Sequence, residues 1–259
     1  MKFSILITSY NKGQYLEECI KSCLKQTNRN FEIIICDNYS DDNPDQIFDK
    51  YKKNIKLIKK KRTSSSSPIN QIDAIKEVFS NIRGDIVCLL DADDYFLPKK
   101  LEILQNEILK RKSYDVIFDL PLIKKFNYMI KFKLKDKKQK HIWPTIINTS
   151  SISLSKSYLK KCIEKKILQK FKFLEIDFRI NVYSRCIDKN FKIIDQDVTV
   201  YRQVEDSIMS NIKKYSAKWW YKRLEAHKFM EEEYNKNNLL YLNKLDYGVS
   251  KVLSKILNK

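Results

Sequence analysis

Ile86-Val87-Cys88-Leu89-Leu90-Asp91-Ala92-Asp93-Asp94 runs five consecutive apolar residues into three carboxylates separated by one alanine. An unbroken apolar run of this length reads as a strand covered on both faces, as in a parallel sheet flanked by helices. Its acidic end then projects from the edge of the sheet where ligands collect in open α/β folds. One Asp there would be an ordinary turn residue. Carboxylates crowded together repel unless a cation lies among them, so this cluster predicts a site for a divalent metal held against an anionic ligand.

Phe3-Ser4-Ile5-Leu6-Ile7 predicts a second buried strand, followed by the polar loop Thr8 to Gly13. Leu16, Cys19, Ile20, Cys23 and Leu24 then recur at helical spacing, with Glu17 and Glu18 in the first turns. Phe31 to Cys36 is the next strand and ends at Asp37-Asn38-Tyr39-Ser40-Asp41-Asp42. A right-handed crossover makes these two strands parallel and brings both polar loops to one edge. Ile47, Phe48 and Tyr51 predict a short helix and residues 55–58 a third strand. The loop of Lys59 to Arg62 and serines 64–67 reads either as solvated surface or as a flap that neutralises phosphate. Ile72, Ile75, Val78, Phe79 and Ile82 mark a helix that returns through Gly84-Asp85 to the anchor strand. After the cluster, Pro98 suits a first helical turn, and Leu101, Leu104 and Ile108 continue that helix.

The character changes at Asp115. Strands are expected at 116–118, 146–154, 191–194 and 198–201, and a loosely alternating one over 126–134 ends in the basic run Lys135 to Lys140. A helix is expected to open at Ser155 or Ser157, and another to follow Glu175-Ile176-Asp177-Phe178-Arg179 as far as Ile187. The last fifty residues read as helices. One carries Trp219, Trp220, Leu224 and Phe229, and another Leu239, Leu242, Leu245, Val249, Val252 and Ile256. Such stripes are usual for a core or a homodimer surface, while a basic helix with paired tryptophans also suits an anionic membrane surface.

The 259 residues, 43% of them hydrophobic, suffice for an α/β domain with an appendage. The net charge of +19 invites an anionic partner, although abundant Lys, Ile and Asn with only three glycines is also what an AT-rich genome produces. Six cysteines without a Cys-x-x-Cys pair argue against zinc and against a disulfide framework. With no leader-like start and no apolar run near eighteen residues, a cytoplasmic chain that does not span a membrane is expected.

Ser4-Ile5-Leu6-Ile7-Thr8-Ser9-Tyr10-Asn11, Asp37 to Asp42 and Asp91-Ala92-Asp93-Asp94 together resemble the family 2 glycosyltransferases of the GT-A fold, over roughly residues 3 to 110 and more weakly to about Ser210. The resemblance implies an α/β fold with a Rossmann-like, mostly parallel sheet flanked by helices. It divides the chain into a transferase domain over 1–210, with a nucleotide-sugar half at 1–114 and an acceptor half at 115–210, and a helical extension over 211–259. It implies a nucleoside-diphosphate sugar donor, with Thr8 and Tyr10 lining the base pocket and Asp37 hydrogen-bonding the base. Asp91 would contact ribose or sugar hydroxyls, Asn70 would belong to the substrate site, and Asp93 would bind the Mn²⁺ or Mg²⁺ that bridges the diphosphate.

Transfer with inversion also needs a carboxylate to take the acceptor hydroxyl's proton on the face opposite the leaving group. The family carries it where this chain has Glu175 to Arg179, which makes Asp177 the expected base and Glu175 the fallback. Both would equally suit a helix N-terminus. After Tyr201-Arg202, where the family often has a metal-contacting histidine, the chain reads Gln203-Val204-Glu205, so Glu205 or water would complete the metal shell. His141 and His227 lie elsewhere and read as structural or surface residues. The expected acceptor is a hydroxyl of a surface glycan or lipid-linked glycan, with peripheral contact at the inner face of the membrane. Two other readings compete. One is a basic nucleic-acid-binding protein using Trp219-Trp220-Tyr221-Lys222-Arg223, disfavoured because an acidic cluster would repel phosphate. The other is an inactive transferase-like subunit.

Overall fold

Strands β1 (Phe3–Ser9), β2 (Phe31–Asp37), β3 (Ile55–Lys59) and β4 (Ile86–Asp91) form on the four N-terminal apolar runs and pair in parallel, in the order β4-β1-β2-β3. The computed structural model describes residues 1–110, 114–135, 143–204 and 212–257. Crossovers are made by α1 (Gly13–Leu24), α2 (Asp45–Tyr51) and α3 (Ser67–Val78). α3 starts where it does because Ser66 Oγ accepts from the Ile69 amide and Pro68 occupies the first turn, where no amide is needed. Gly84 is required before β4, since a Cβ there would lie 2.6 Å from the backbone of Phe3 and Ser4.

Alternation along β1 builds two apolar layers. Ile5 and Ile7 pack with Leu16, Cys19 and Ile20 of α1 and with Leu101 and Leu104 of α4 (Lys100–Lys110). Leu6 faces the opposite layer, with Ile72, Ile75 and Val78 of α3. The six cysteines are all free and five are buried, as their sequence setting predicts.

Beyond Asp94 the chain departs from simple βα alternation. A short β5 (Tyr95–Phe96) precedes α4, which begins two residues after Pro98. β6 (Val116–Asp119), β9 (Ile152–Ser155) and β10 (Phe191–Ile194) extend the same sheet to seven strands, β10-β6-β9-β4-β1-β2-β3, with β9 antiparallel to both neighbours. Two expectations are corrected here. The strand expected over 146–154 is only β9, because Thr149–Ser151 forms a 3₁₀ turn. That turn sends the Ser150 hydroxyl to Asp94, a polar duty a straight strand could not perform. The strand expected over 126–134 is a hairpin of β7 (Leu122–Lys125) and β8 (Tyr128–Lys131), turning at Phe126 with φ 46°. With β5 and β11 (Thr199–Arg202) it makes a second sheet, β5-β11-β7-β8.

The two sheets are tied by a buried cation. Lys100 Nζ donates to Asp119 Oδ2 at 2.7 Å, to the Ser150 carbonyl at 2.9 Å and to Thr199 Oγ1 at 2.7 Å, so all three of its protons are placed. Removing one partner would strand a buried charge, so the network is costly to break even where its net contribution is small.

Ser155 Oγ accepts from the Tyr158 amide and starts α5 (Lys156–Glu164). α6 (Ile176–Val182) passes into a wider π turn over Tyr183–Asp188. α7 (Ala217–Lys236) sends Ala226, Phe229 and Met230 into the core beside Phe178 and Ile180, and α8 (Lys244–Ile256) lies on α7. Buried His227 joins these helices structurally, with Nδ1 2.6 Å from the Tyr241 hydroxyl and Nε2 2.6 Å from Asp246 Oδ2. His141 and Glu205, and the lysines of the run at 135–140 other than Lys135, lie outside the described residues.

Candidate active site

Register decides which residues meet at the C-terminal edge of the sheet. Thr8 of β1 sits opposite Asp91 of β4, and Ser9 opposite Asp37 of β2. The two loops are then stitched together. Asn11, at φ 51°, accepts from the Asp41 amide through Oδ1, and its own amide donates to Ser40 Oγ. The Gly13 amide donates to Asp42 Oδ2 at 2.6 Å. Behind these loops a cavity of about 410 Å³ is bounded by Thr8, Tyr10, Lys12, Asn38, Arg62, Asn70, Gln71, Asp91 and Asp93, and by Asn148, Glu175, Asp177, Tyr201 and Arg202 from the later part of the chain.

The acidic cluster is divided three ways. Asp91 Oδ1 accepts from Thr8 Oγ1 at 3.0 Å and from Gln71 Nε2 at 2.6 Å, and burial followed by the charge of Asp93 pushes its carboxyl up to about 7. Asp94 turns inward, accepting from Ser150 Oγ and from the Arg202 amide at 2.8 Å, and burial raises its carboxyl well above the usual range. Asp93 faces the cavity, with Oδ2 3.3 Å from Lys12 Nζ.

This set fits a divalent cation of one kind. Among the described residues no three His, Cys, Asp or Glu side chains converge as a metal cage. What the cavity offers is the Asp93 carboxylate beside the Asp91 edge, the sparse oxygen set by which Mg²⁺ or Mn²⁺ binds when a diphosphate and water supply the rest.

Asp177 occupies the first turn of α6 and lines the same cavity, partly reachable by solvent. Burial, then the neighbouring Glu175 charge, pushes its carboxyl up to about 7. Glu175 itself is buried and ion-paired to Lys222 of α7. Buried Arg179 gathers the loop before α6. Its five N–H groups donate to the carbonyls of Ile167, Gln169, Lys170, Phe171 and Leu174, at 2.7 to 3.1 Å.

Asp177 also lines a second cavity of about 380 Å³, shared with Asn148, Glu175 and Tyr201. Its remaining walls are largely apolar, among them Ile123, Phe132, Trp143, Phe178 and Trp219, with Lys222 and Arg223 at one side.

Thr8, Tyr10, Asn70, Asp91, Asp93, Glu175 and Asp177 therefore line one cavity. Asp37 does not reach the wall. Its oxygens accept from the Ser40 amide at 3.0 Å and from Ser40 Oγ at 2.6 Å, and the next residue, Asn38, lines the cavity instead. Asn70 lines it while bracing the basic loop, accepting from the Thr63 and Ser64 amides and donating to the Ser64 carbonyl. That loop acts as a wall, since the Arg62 guanidinium stacks 3.9 Å over the Tyr10 ring.

Sequence reasoning missed Lys12, Gln71 and Arg202 as site residues. Gln71 lies on the polar face of an otherwise regular helix, and no spacing signals it. Buried Arg202 lies over the rings of Tyr95 and Tyr15 and pairs with Glu18.

The model of the family described as glycosyl transferase family 2 matches residues 4–162. The chain belongs to that family. Across 238 residues this glycosyltransferase is 30% identical to an uncharacterized glycosyltransferase of Methanocaldococcus jannaschii, covering 86% of this chain and 78% of the relative. It is 30% identical to the chondroitin synthase of Pasteurella multocida over 118 residues, 44% of this chain but only 12% of that enzyme. The fold of the glycosyltransferase matches Staphylococcus aureus TarS 1–349, solved with UDP-GlcNAc, at a TM-score of 0.68 and 16% identity, over all of this chain and 72% of that one. It also matches the mannosyltransferase PcManGT of Pyrobaculum calidifontis, solved with GDP-Man and Mn²⁺, at 0.59 and 11% identity, over 97% of this chain and 73% of that one. The sheet with its flanking helices is thus the GT-A fold. Membership in a transferase family displaces the nucleic-acid reading, and Trp219 and Trp220 pack edge to face on each other at 4.7 Å. No helix among the described residues is long and apolar enough to cross a membrane.

Proposed function

We propose that the protein transfers a sugar, with inversion, from a nucleoside-diphosphate donor to a hydroxyl of a surface glycan or lipid-linked glycan. The observation that carries this reading is Asp177, one carboxylate set on the walls of both a polar and an apolar cavity. The nucleotide occupies the polar cavity, against Thr8, Tyr10, Asn38 and Arg62. Asp91, fixed by Thr8 and Gln71, holds donor hydroxyls, and Asp37 acts from behind by shaping the loop that presents Asn38. Lys12 and Arg202 meet the negative charge of the diphosphate. Asp93 holds the divalent cation, which when bound supplies positive charge to the leaving diphosphate.

The acceptor enters from the apolar cavity, where Trp143 and Trp219 offer aromatic surface to a sugar ring. Asp177 takes the hydroxyl proton as the oxygen attacks the anomeric carbon, and the bond to the diphosphate oxygen breaks on the far side. Burial and then the nearby Glu175 charge keep Asp177 proton-hungry, and Lys222 pairs with Glu175. The nucleotide-sugar ligands of TarS and PcManGT, the Mn²⁺ of the latter and the polysaccharide named for the Pasteurella relative support the donor, metal and acceptor classes respectively.

The test is a thermal-shift titration with UDP and GDP, with and without Mn²⁺. A rise in melting temperature that needs both nucleotide and metal is the expected result, because a ligand bound only to the folded state stabilises it. A flat response to every combination overturns the reading.

A further inference from the structure

Helix α8 presents its apolar side to solvent and its small polar side to the protein. Ser250 and Ser254 are buried against α7, whereas Leu245 is 86% exposed, Val249 42%, Val252 55% and Ile256 60%. At 3.6 residues per turn these four fall within about 60° of arc, a continuous outward stripe. Leu242, just before the helix, and Leu257, just after it, are exposed as well.

Beside the stripe, Lys244, Lys251 and Lys255 are exposed and fall within about 40° of one another along a single flank. The helix's one acidic residue, Asp246, is directed away, with Oδ2 2.7 Å from Arg223 and 2.6 Å from His227. The inverted orientation is therefore held in place. Asp246 clamps α8 to two residues of α7, and the Tyr247 ring stacks 5.4 Å from that of His227. An exposed apolar patch with one basic border marks an interaction surface, and its chemistry selects the partner.

We propose that α8 docks the protein on an anionic lipid bilayer, with the stripe at the acyl boundary and the lysine flank among phosphate headgroups. Charge complementarity favours lipid over a second copy of the chain. Each copy carries a net charge of +19, and apposed α8 faces would bring lysine flanks together with no carboxylate between them. A bilayer with acidic headgroups meets both halves of the pattern at once, as interfacial amphipathic helices do. The proposal goes beyond the transferase reading and is tested without donor or acceptor, so its failure leaves that reading untouched.

The full chain is sedimented with vesicles of phosphatidylcholine alone or mixed with phosphatidylglycerol. The unmodified protein should bind the mixed vesicles, less so in high salt. Val249→Asp combined with Val252→Asp should lower the bound fraction about tenfold, a loss of the kind expected when the buried apolar face is removed. Lys251→Glu with Lys255→Glu should weaken binding to the mixed vesicles selectively. These positions are exposed, so melting temperature and the response to nucleotide should be unchanged in both variants. Three results would overturn the proposal: no binding of the unmodified protein, binding that survives the paired aspartates, or a dimer in light scattering that those aspartates dissociate, which would assign the face to a second copy.

Discussion

The two cavities that meet at Asp177 are built by opposite means. The polar one is founded on loops at the ends of neighbouring parallel strands, and register alone sets Thr8 beside Asp91. The apolar one is assembled from β7, the 143–148 segment, α6 and α7, elements braced from behind by two buried cations. Arg179 and Lys100 are those cations, one gathering five carbonyls and the other joining the two sheets. A cavity set at strand ends has its geometry fixed by the sheet, whereas one built largely from loops and helices can vary more freely.

The largest effect should come where the cavities join. Asp177→Asn should retain nucleotide binding and lower transfer by roughly 10² to 10⁴, the contribution of a positioned base. In the unmodified protein kcat/KM should rise with pH through about 7, since the base acts only when ionised. Stability should move the other way. A carboxyl raised from 3.8 to about 7 holds its proton more tightly in the folded state, so folding loses stability as pH rises between those values. Asp177→Asn removes that loss, on the order of 2 to 4 kcal/mol, and should melt higher than the parent at about pH 8 and converge with it near pH 4. A variant that transfers normally would separate the cavities' shared residue from their chemistry.

Arg179→Met tests how far one side chain holds the loop before α6. Five carbonyls would lose their donors, costing about 3–5 kcal/mol, read as a lower urea midpoint. Little change would mean that the loop before α6 is held by packing.

Asp93→Asn tests the polar cavity alone. Nucleotide affinity in Mn²⁺ should fall roughly 10- to 100-fold, and affinity without metal should change little, in calorimetric titration. A fall that is equal with and without metal would assign Asp93 a general electrostatic role. Smallest is Trp219→Ala, which should raise the acceptor KM about tenfold, the worth of roughly one stacked ring, with the donor KM unchanged. A change in donor KM would show that the two cavities are not separate sites.

Much of the polar cavity is legible in the amino-acid sequence, and the reason is local. Strands buried on both faces are unbroken apolar runs, and the residues after them must lie at the sheet's ligand edge, so the acidic cluster with Asp91 and Asp93 declares itself, while Thr8 and Tyr10 are singled out by the family resemblance. Asp37 shows the limit of that logic. Strand placement puts it at the edge, but Ser40, three residues on, captures its carboxylate and hands the wall to Asn38. The hairpin β7–β8 is hidden from a periodicity reading because its strands are four residues each and one face never meets a core.

The sequence by itself determined the parallel βαβ order, the acidic edge and the family, since each follows from residues close together in the chain. Only the tertiary structure decided that Gln71 and Arg62 line the cavity, that Asp177 and Asp93 border the same one, and that α8 turns its apolar side outward. Those outcomes depend on which distant groups satisfy a buried charge or a clamping carboxylate, and a periodic pattern carries no record of such long-range partners.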